Sequence, residues 1–179
     1  MDIHNKEFIL LETLTDDNKD FIVLKNISNS LTDEDWAKNK IRQKRNNVNN
    51  ETETVIYRHF DFSGNILDFK IDNYDIVFKS VINIIKKYKI LTAPKIVSLI
   101  FVKLKPGAKI PLHTDSASVH YTNKRVHIVL KTNKDVNFKI NNKDHNFTIG
   151  QVVEINNMVE HGVFNNGTEE RIHLIVDYI

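Results

Sequence analysis

Apolar and polar positions alternate along the second half of the chain with the period of a β-strand. From Ile96 onward the apolar-rich runs are Val97–Leu104, Arg125–Lys131, Val136–Ile140, His145–Ile149, Val152–Ile155 and Ile172–Tyr178. Turn formers separate them: Pro106-Gly107, Asn141-Asn142, Gly150, Asn156-Asn157 and Asn165-Asn166-Gly167. Short strands with turn signals and no helix between them predict an antiparallel barrel or jelly roll. The first half is mixed. Phe8-Ile9-Leu10-Leu11, Phe21-Ile22-Val23-Leu24 and Thr54 to Phe60 read as strands. Thr32-Asp33-Glu34-Asp35 reads as a capped helix start running through Trp36 towards Arg42, and the polar stretch Asn46 to Asn50 as a mobile loop. Apolar residues at 77, 81, 84, 85 and 88 have helical spacing, which predicts a helix packed outside a sheet. The expected plan is one domain over residues 1–179, with a helix-bearing half (1–95) supporting a β core (96–179) that carries the chemistry.

Composition narrows the function classes. A chain of 179 residues with 41% hydrophobic and 27% charged residues suits a soluble globular domain. A net charge of +2 is too balanced to suggest a nucleic-acid partner. There is no cysteine, which excludes disulfides, thiolate zinc sites, iron–sulfur clusters and cysteine nucleophiles. Any metal must be held by His, carboxylates or amides. No run approaches the roughly 18 apolar residues of a membrane span, and the first residues carry no secretion pattern, so a cytoplasmic location and no membrane partner are expected.

Six of the eight histidines lie between residues 113 and 173. His113-Thr114-Asp115 puts two ligand types two apart, on one side of an extended segment. His161 follows 48 residues after His113, across several predicted strands. Two imidazoles and a carboxylate form the facial triad of non-haem Fe(II) oxygenases, which leaves positions open for cosubstrate and O2. Alone, His-x-Asp is a weak signal, since a loop can carry a solvated Asp and a hydrogen-bonded His. The basic residues around it strengthen it. Arg171 opens the last strand ten residues after His161, and Arg125 and His127 share one face of their strand, opposite Val126, Ile128 and Leu130. On an isolated strand that face would meet solvent; inside a barrel it would converge on the metal. A guanidinium there matches a carboxylate in two-point fashion.

Three stretches together resemble a known family: Leu104 to Asp115, Arg125 to Leu130, and Glu160 through Asp177. In order and spacing they are similar to the aspartyl/asparaginyl β-hydroxylase-like Fe(II)/2-oxoglutarate dioxygenases, over residues 97–178. The resemblance implies a double-stranded β-helix (a cupin-like jelly roll), with His113, Asp115 and His161 as iron ligands. It implies that Arg171 grips the distal carboxylate of 2-oxoglutarate, and that Arg125 and His127 lie against the cosubstrate's carboxylates. The aspartyl hydroxylases that name the family lack the carboxylate ligand, whereas this chain has Asp115. The resemblance is therefore to the carboxylate-containing branch, in which relatives hydroxylate free amino acids.

The expected activity is hydroxylation of an amino acid or amino-acid side chain, with release of succinate and CO2 and a small-molecule or peptide substrate. A non-catalytic cupin-like binding protein and a metal-dependent isomerase or hydrolase are the alternatives; neither accounts for Arg171. The histidines at 4, 59, 120 and 145 read as surface or locally bonded, and His173 as either core or support for the site. The Arg42-Gln43-Lys44-Arg45 cluster reads as favourable charge at a helix C-terminus, the other reading being an arm that meets an anionic substrate group. Segment 114–124 and the first half are where substrate contacts are expected.

Overall fold

A computed structural model describes residues 3, 6–45, 47–60, 63–88, 95–115 and 124–179. Two antiparallel sheets face each other. The strands are β1 (Phe8–Thr13), β2 (Thr52–Phe60), β3 (Ile66–Asp68), β4 (Ile96–Leu104), β5 (Lys109–His113), β6 (Lys124–Lys131), β7 (Val136–Ile140), β8 (Lys143–His145), β9 (Gln151–Ile155), β10 (His161–Asn165) and β11 (Arg171–Tyr178). The larger sheet has the order β1-β9-β6-β11-β4-β2-β3 and the smaller one β5-β10-β7-β8. This is the expected mainly-β jelly roll, the double-stranded β-helix, with flanking helices.

Strand alternation decides what each face does. On β6 and β11, Val126, Ile128, Leu130, Ile172, Leu174, Val176 and Tyr178 join the apolar layer beneath α1 (Lys19–Ser30) and α4 (Tyr74–Ile85). The intervening residues turn to the space between the sheets, where Val129, Val153 and Ile155 meet Ile110, Phe138, Ile140 and Val163 of the smaller sheet. A third cluster, Ile56, Ile100, Val102 and Ile175, is covered by Ile41 and Phe69. The polar residues Arg171, His173 and Asp177 lie buried on this inner side, at 0–1% exposure. Charges that deep need specific partners or ligands.

Several expectations need correction. Phe21–Leu24 is not a strand but part of α1, whose buried residues Phe21, Leu24, Ile27 and Ser28 recur at three- and four-residue steps. The Asn18 side chain caps it by accepting from the Phe21 N–H at 3.0 Å. The helix expected from Thr32 to Arg42 is two short ones, α2 (Asp33–Ala37) and α3 (Ile41–Arg45). Thr32 and Asp35 form the capping box of α2, and the Asn39 side chain accepts from the Ile41 N–H at 3.0 Å to start α3. The polar stretch after α3 includes a 3-10 turn, Asn47–Asn49. The run His145–Ile149 leaves the sheet after His145, since Asn146 donates its side-chain amide to backbone carbonyls, including that of Asn133 at 3.1 Å. Strands β3, β5 and β10, and β8 before His145, were not read from the sequence. Asn141 and Asn142, with φ of 48° and 61°, make the two-residue hairpin between β7 and β8.

Candidate metal centre

The β5–β10 pairing builds the centre. His113 and His161 are direct cross-strand partners, one on each strand. Their rings lie 4.4 Å apart between centroids. The register shifts immediately after His161, at Gly162. A Cβ at Gly162 would come within 2.8 Å of the Ile110 carbonyl oxygen, so the two backbones approach more closely than any side chain permits. Asp115 follows β5, its N–H donating to the Asn157 carbonyl at 3.1 Å. One ligand atom from each of His113, Asp115 and His161 lies within 4.8 Å of the others.

The donors suit a divalent ion. The Nδ1 of His113 lies 2.8 Å from the Pro111 carbonyl, and that of His161 lies 2.9 Å from the Val159 carbonyl. A carbonyl only accepts, so both Nδ1 atoms carry the hydrogen and both Nε2 atoms keep their lone pairs. Burial lowers the His161 pKa to about 4, which keeps the ring in its ligating, neutral form. Among the described residues this is the one such cluster of His and carboxylate groups.

Arg125 stands behind the carboxylate. It grips Asp177 with two bonds, Nε to Oδ1 at 2.7 Å and Nη2 to Oδ2 at 2.9 Å, while its Nη1 contacts Asp115 Oδ2. Asp115 Oδ1 lies on the other side, 3.5 Å from His113 Nε2. Burial works against the charge on Arg125, but Asp177 and Asp115 outweigh it and hold its pKa up. The guanidinium therefore orients one oxygen of Asp115 and leaves the other towards the imidazoles.

Arg171 differs. It has 0% exposure, and among the described residues no carboxylate lies within ion-pair distance of it. Its Nη2 donates to His173 Nδ1 at 2.6 Å, while Nε and Nη1 are buried with no hydrogen-bond partner. Burial, and Arg42 after it, lowers its pKa to about 9, so it stays charged near neutrality. His127 Nδ1 lies 3.3 Å from the same His173 nitrogen. Since His173 Nδ1 accepts from Arg171, His127 must carry its hydrogen on Nδ1. Burial, then the neighbouring Arg171, pushes both ring pKa values well down.

One small cavity of about 50 Å³ joins these groups: His113, Asp115, His161, Arg125, His127 and Arg171 all line it. All six candidate residues thus converge on one space. Asp177 and Arg42 are there or beside it without having been singled out for it. Asp177 shares the face of Arg171 and His173 by simple alternation, which was the signal available. His59 and His145 have local contacts, with Ser98 Oγ at 3.2 Å and Glu7 at 3.3 Å. His4, His120 and most of segment 114–124 lie outside the described residues.

A family model for aspartyl/asparaginyl β-hydroxylase matches residues 34–179. The chain belongs to that family. Among solved structures, it is similar to an oxidoreductase of the 2OG-Fe(II) oxygenase family from Burkholderia pseudomallei, at TM-score 0.71 and 11% identity, over 98% of this chain and 85% of that one. The viral collagen prolyl hydroxylase of Paramecium Bursaria Chlorella virus-1, solved with 2OG, gives TM-score 0.55 and 12% identity, over 97% and 96% of the chains. AviO1 of Streptomyces viridochromogenes gives 0.55 and 13%, over 98% and 90%. At such identities the likeness is one of fold. No curated protein sequence matches the chain. As a member of the β-hydroxylase family, this chain carries a hydroxylase-like oxygenase architecture around its His-Asp-His cluster. No helix is long and apolar enough to cross a membrane among the described residues.

Proposed function

We propose that the protein is an Fe(II)- and 2-oxoglutarate-dependent hydroxylase acting on an amino acid or amino-acid side chain. His113, Asp115 and His161 would hold the iron. With 2-oxoglutarate and O2, the bound metal supplies the oxidising power to hydroxylate an unactivated C–H bond, releasing succinate and CO2.

The observation that carries this reading is Arg171, a fully buried cation with two guanidinium nitrogens unpartnered and no acidic partner among the described residues. A buried charge left so is costly unless a ligand completes it. A dicarboxylate chelating the metal at one end would present its far carboxylate to that guanidinium. His173 orients it by accepting one N–H, and Phe138 lies beneath, its ring centre 5.8 Å from the guanidinium carbon. Arg125 and Asp177 would hold Asp115 in position, and the apolar walls of Ile110, Val163 and Ile175 would exclude water. A metal-binding protein without turnover has no use for Arg171 at this depth.

The test is spectroscopic. Under anaerobic conditions, Fe(II) and 2-oxoglutarate together should produce a visible charge-transfer band that neither gives alone. Arg171→Leu should weaken 2-oxoglutarate binding by at least ~10-fold while leaving metal affinity intact, because a charge-assisted two-point contact is lost. A flat spectrum from fully metallated protein would sink the proposal.

A further inference from the structure

Arg42 is a second cation in this cavity. It belongs to α3, which is fixed on both sides of it. Ile41 packs on the inner-face cluster of Ile56, Ile100, Val102 and Ile175, and the Gln43 side chain donates to the Thr52 carbonyl at 2.8 Å. Arg42 is thereby held against the cavity that the metal residues and Arg171 line. Unlike Arg171, Arg42 as a whole residue is half-buried. Its Nη1 is nonetheless buried with no hydrogen-bond partner, and no acidic side chain lies within ion-pair distance of it among the described residues.

Counting charge around the cavity gives a reason. Arg42, Arg125 and Arg171 contribute three positive charges against two negative ones, Asp115 and Asp177. Burial keeps the imidazoles of His127 and His173 neutral. On the reading given above, a divalent metal and a dicarboxylate cancel each other, so among the described residues at the cavity one positive charge remains without an opposite. Segment 116–123, Ser-Ala-Ser-Val-His-Tyr-Thr-Asn, contains no acidic residue that could supply it. The surplus sits in the cavity that the candidate metal residues line, the guanidinium fork fits a two-oxygen anion, and an amino-acid substrate brings a carboxylate.

We propose that Arg42 is a substrate-recognition residue that binds a carboxylate carried by the substrate, separate from the cosubstrate carboxylate at Arg171. The substrate class is thereby narrowed to carboxylic acids, and amides or esters of the same molecules are disfavoured. This inference rests on the hydroxylase reading.

The experiment uses Mn(II) in place of iron, with saturating 2-oxoglutarate and no turnover. Ligands are the common L-amino acids, each beside its α-carboxamide, together with N-acetyl-L-aspartate α-amide, whose side-chain carboxylate is its sole acid. Inorganic phosphate serves as a non-planar anion. Binding is read as paramagnetic broadening of ligand proton signals, and metal and 2-oxoglutarate affinities by calorimetry. In the wild type, at least one acid should bind ~10-fold or more tighter than its amide. The N-acetylated compound shows whether the carboxylate read is a side-chain one. In Arg42→Gln that preference should vanish while 2-oxoglutarate and Mn(II) affinities stay within about threefold; Arg42→Lys should restore part of it. Equal binding of acids and amides, no binding of any acid, or tighter binding of phosphate overturns the proposal. So does a loss of 2-oxoglutarate affinity in Arg42→Gln as large as in Arg171→Leu, which would make Arg42 a cosubstrate residue. Failure of wild-type Mn(II) protein to bind 2-oxoglutarate would instead overturn the hydroxylase reading beneath it.

Discussion

Asp177 is not one of the three candidate ligand residues, yet it helps hold one of them, Asp115, in place through Arg125. Its two-point grip occupies Nε and Nη2 of Arg125 while Nη1 meets Asp115, and the register of β11 against β6 puts Asp177 directly opposite Arg125. Asp177→Asn weakens that grip and frees the guanidinium to pull Asp115 away from the imidazoles. Metal affinity should fall about 10- to 100-fold, the usual effect of losing a residue that orients a ligand; a titration giving wild-type affinity would show that Asp115 orients itself. The candidate ligand set was legible in the sequence because His-x-Asp, a later His and an Arg ten residues on carry spacing information. Asp177 was not, because its partner lies 52 residues away and only strand register reveals that they face each other. The basic run at 42–45 gave two readings. Among the described side chains of that run position 42 alone lines the cavity, which no local pattern could single out.

At the scale of the element, legibility follows the strength of the periodic signal. Strands β4, β6, β7, β9 and β11 were read almost to their ends, because β-branched residues alternate along them. Strand β10, His-Gly-Val-Phe-Asn, was missed because glycine weakens the strand signal, though here it permits the close approach to β5. Gly162→Ala should therefore cost about 1–3 kcal/mol of stability, as overpacking does. It should also spread the two imidazoles, so that a fall in metal affinity accompanies the lower urea midpoint. Helix α1 was misread since a four-residue apolar window does not distinguish helix from strand; the twelve-residue window does. Its neighbour α2 has a pH signature. Lys38 first, with the Thr32 backbone and hydroxyl, holds the Asp35 pKa down to about 2. That stabilisation is present above the unfolded carboxylate value near 3.9 and is lost as pH falls towards about 2. The difference in unfolding midpoint between wild type and Asp35→Asn should accordingly shrink across that interval and be constant above it.

The whole molecule places a charged and imidazole-rich cluster between two apolar-faced sheets, a plan whose strand order could not be read from the chain. The fold class was legible, but the crossing of β1 and β2 into the larger sheet depends on partners distant in sequence. Burying His127 and His173 in neutral form has a global consequence. Unfolded, each ring titrates near 6.5; folded, each stays neutral well below that. The unfolded state thus binds more protons below about pH 6.5, so the stability present above that value falls as pH drops, by about 1.4 kcal/mol per pH unit for each ring. Metal-free protein should lose denaturant resistance between pH 6.5 and 5, less steeply in His173→Gln; a level profile would mean the rings protonate in place. Strand β5 adds a last point, because it is the outermost strand of the smaller sheet and carries Pro111. One imidazole of the cross-strand pair rides on this rim and the other on its inner neighbour, so an ion bound between them would act as a clasp on the edge. Loading the protein with Mn(II) should slow deuterium uptake along residues 109–113 far more than along β4 or β11, making the rim strand the molecule's own gauge of occupancy.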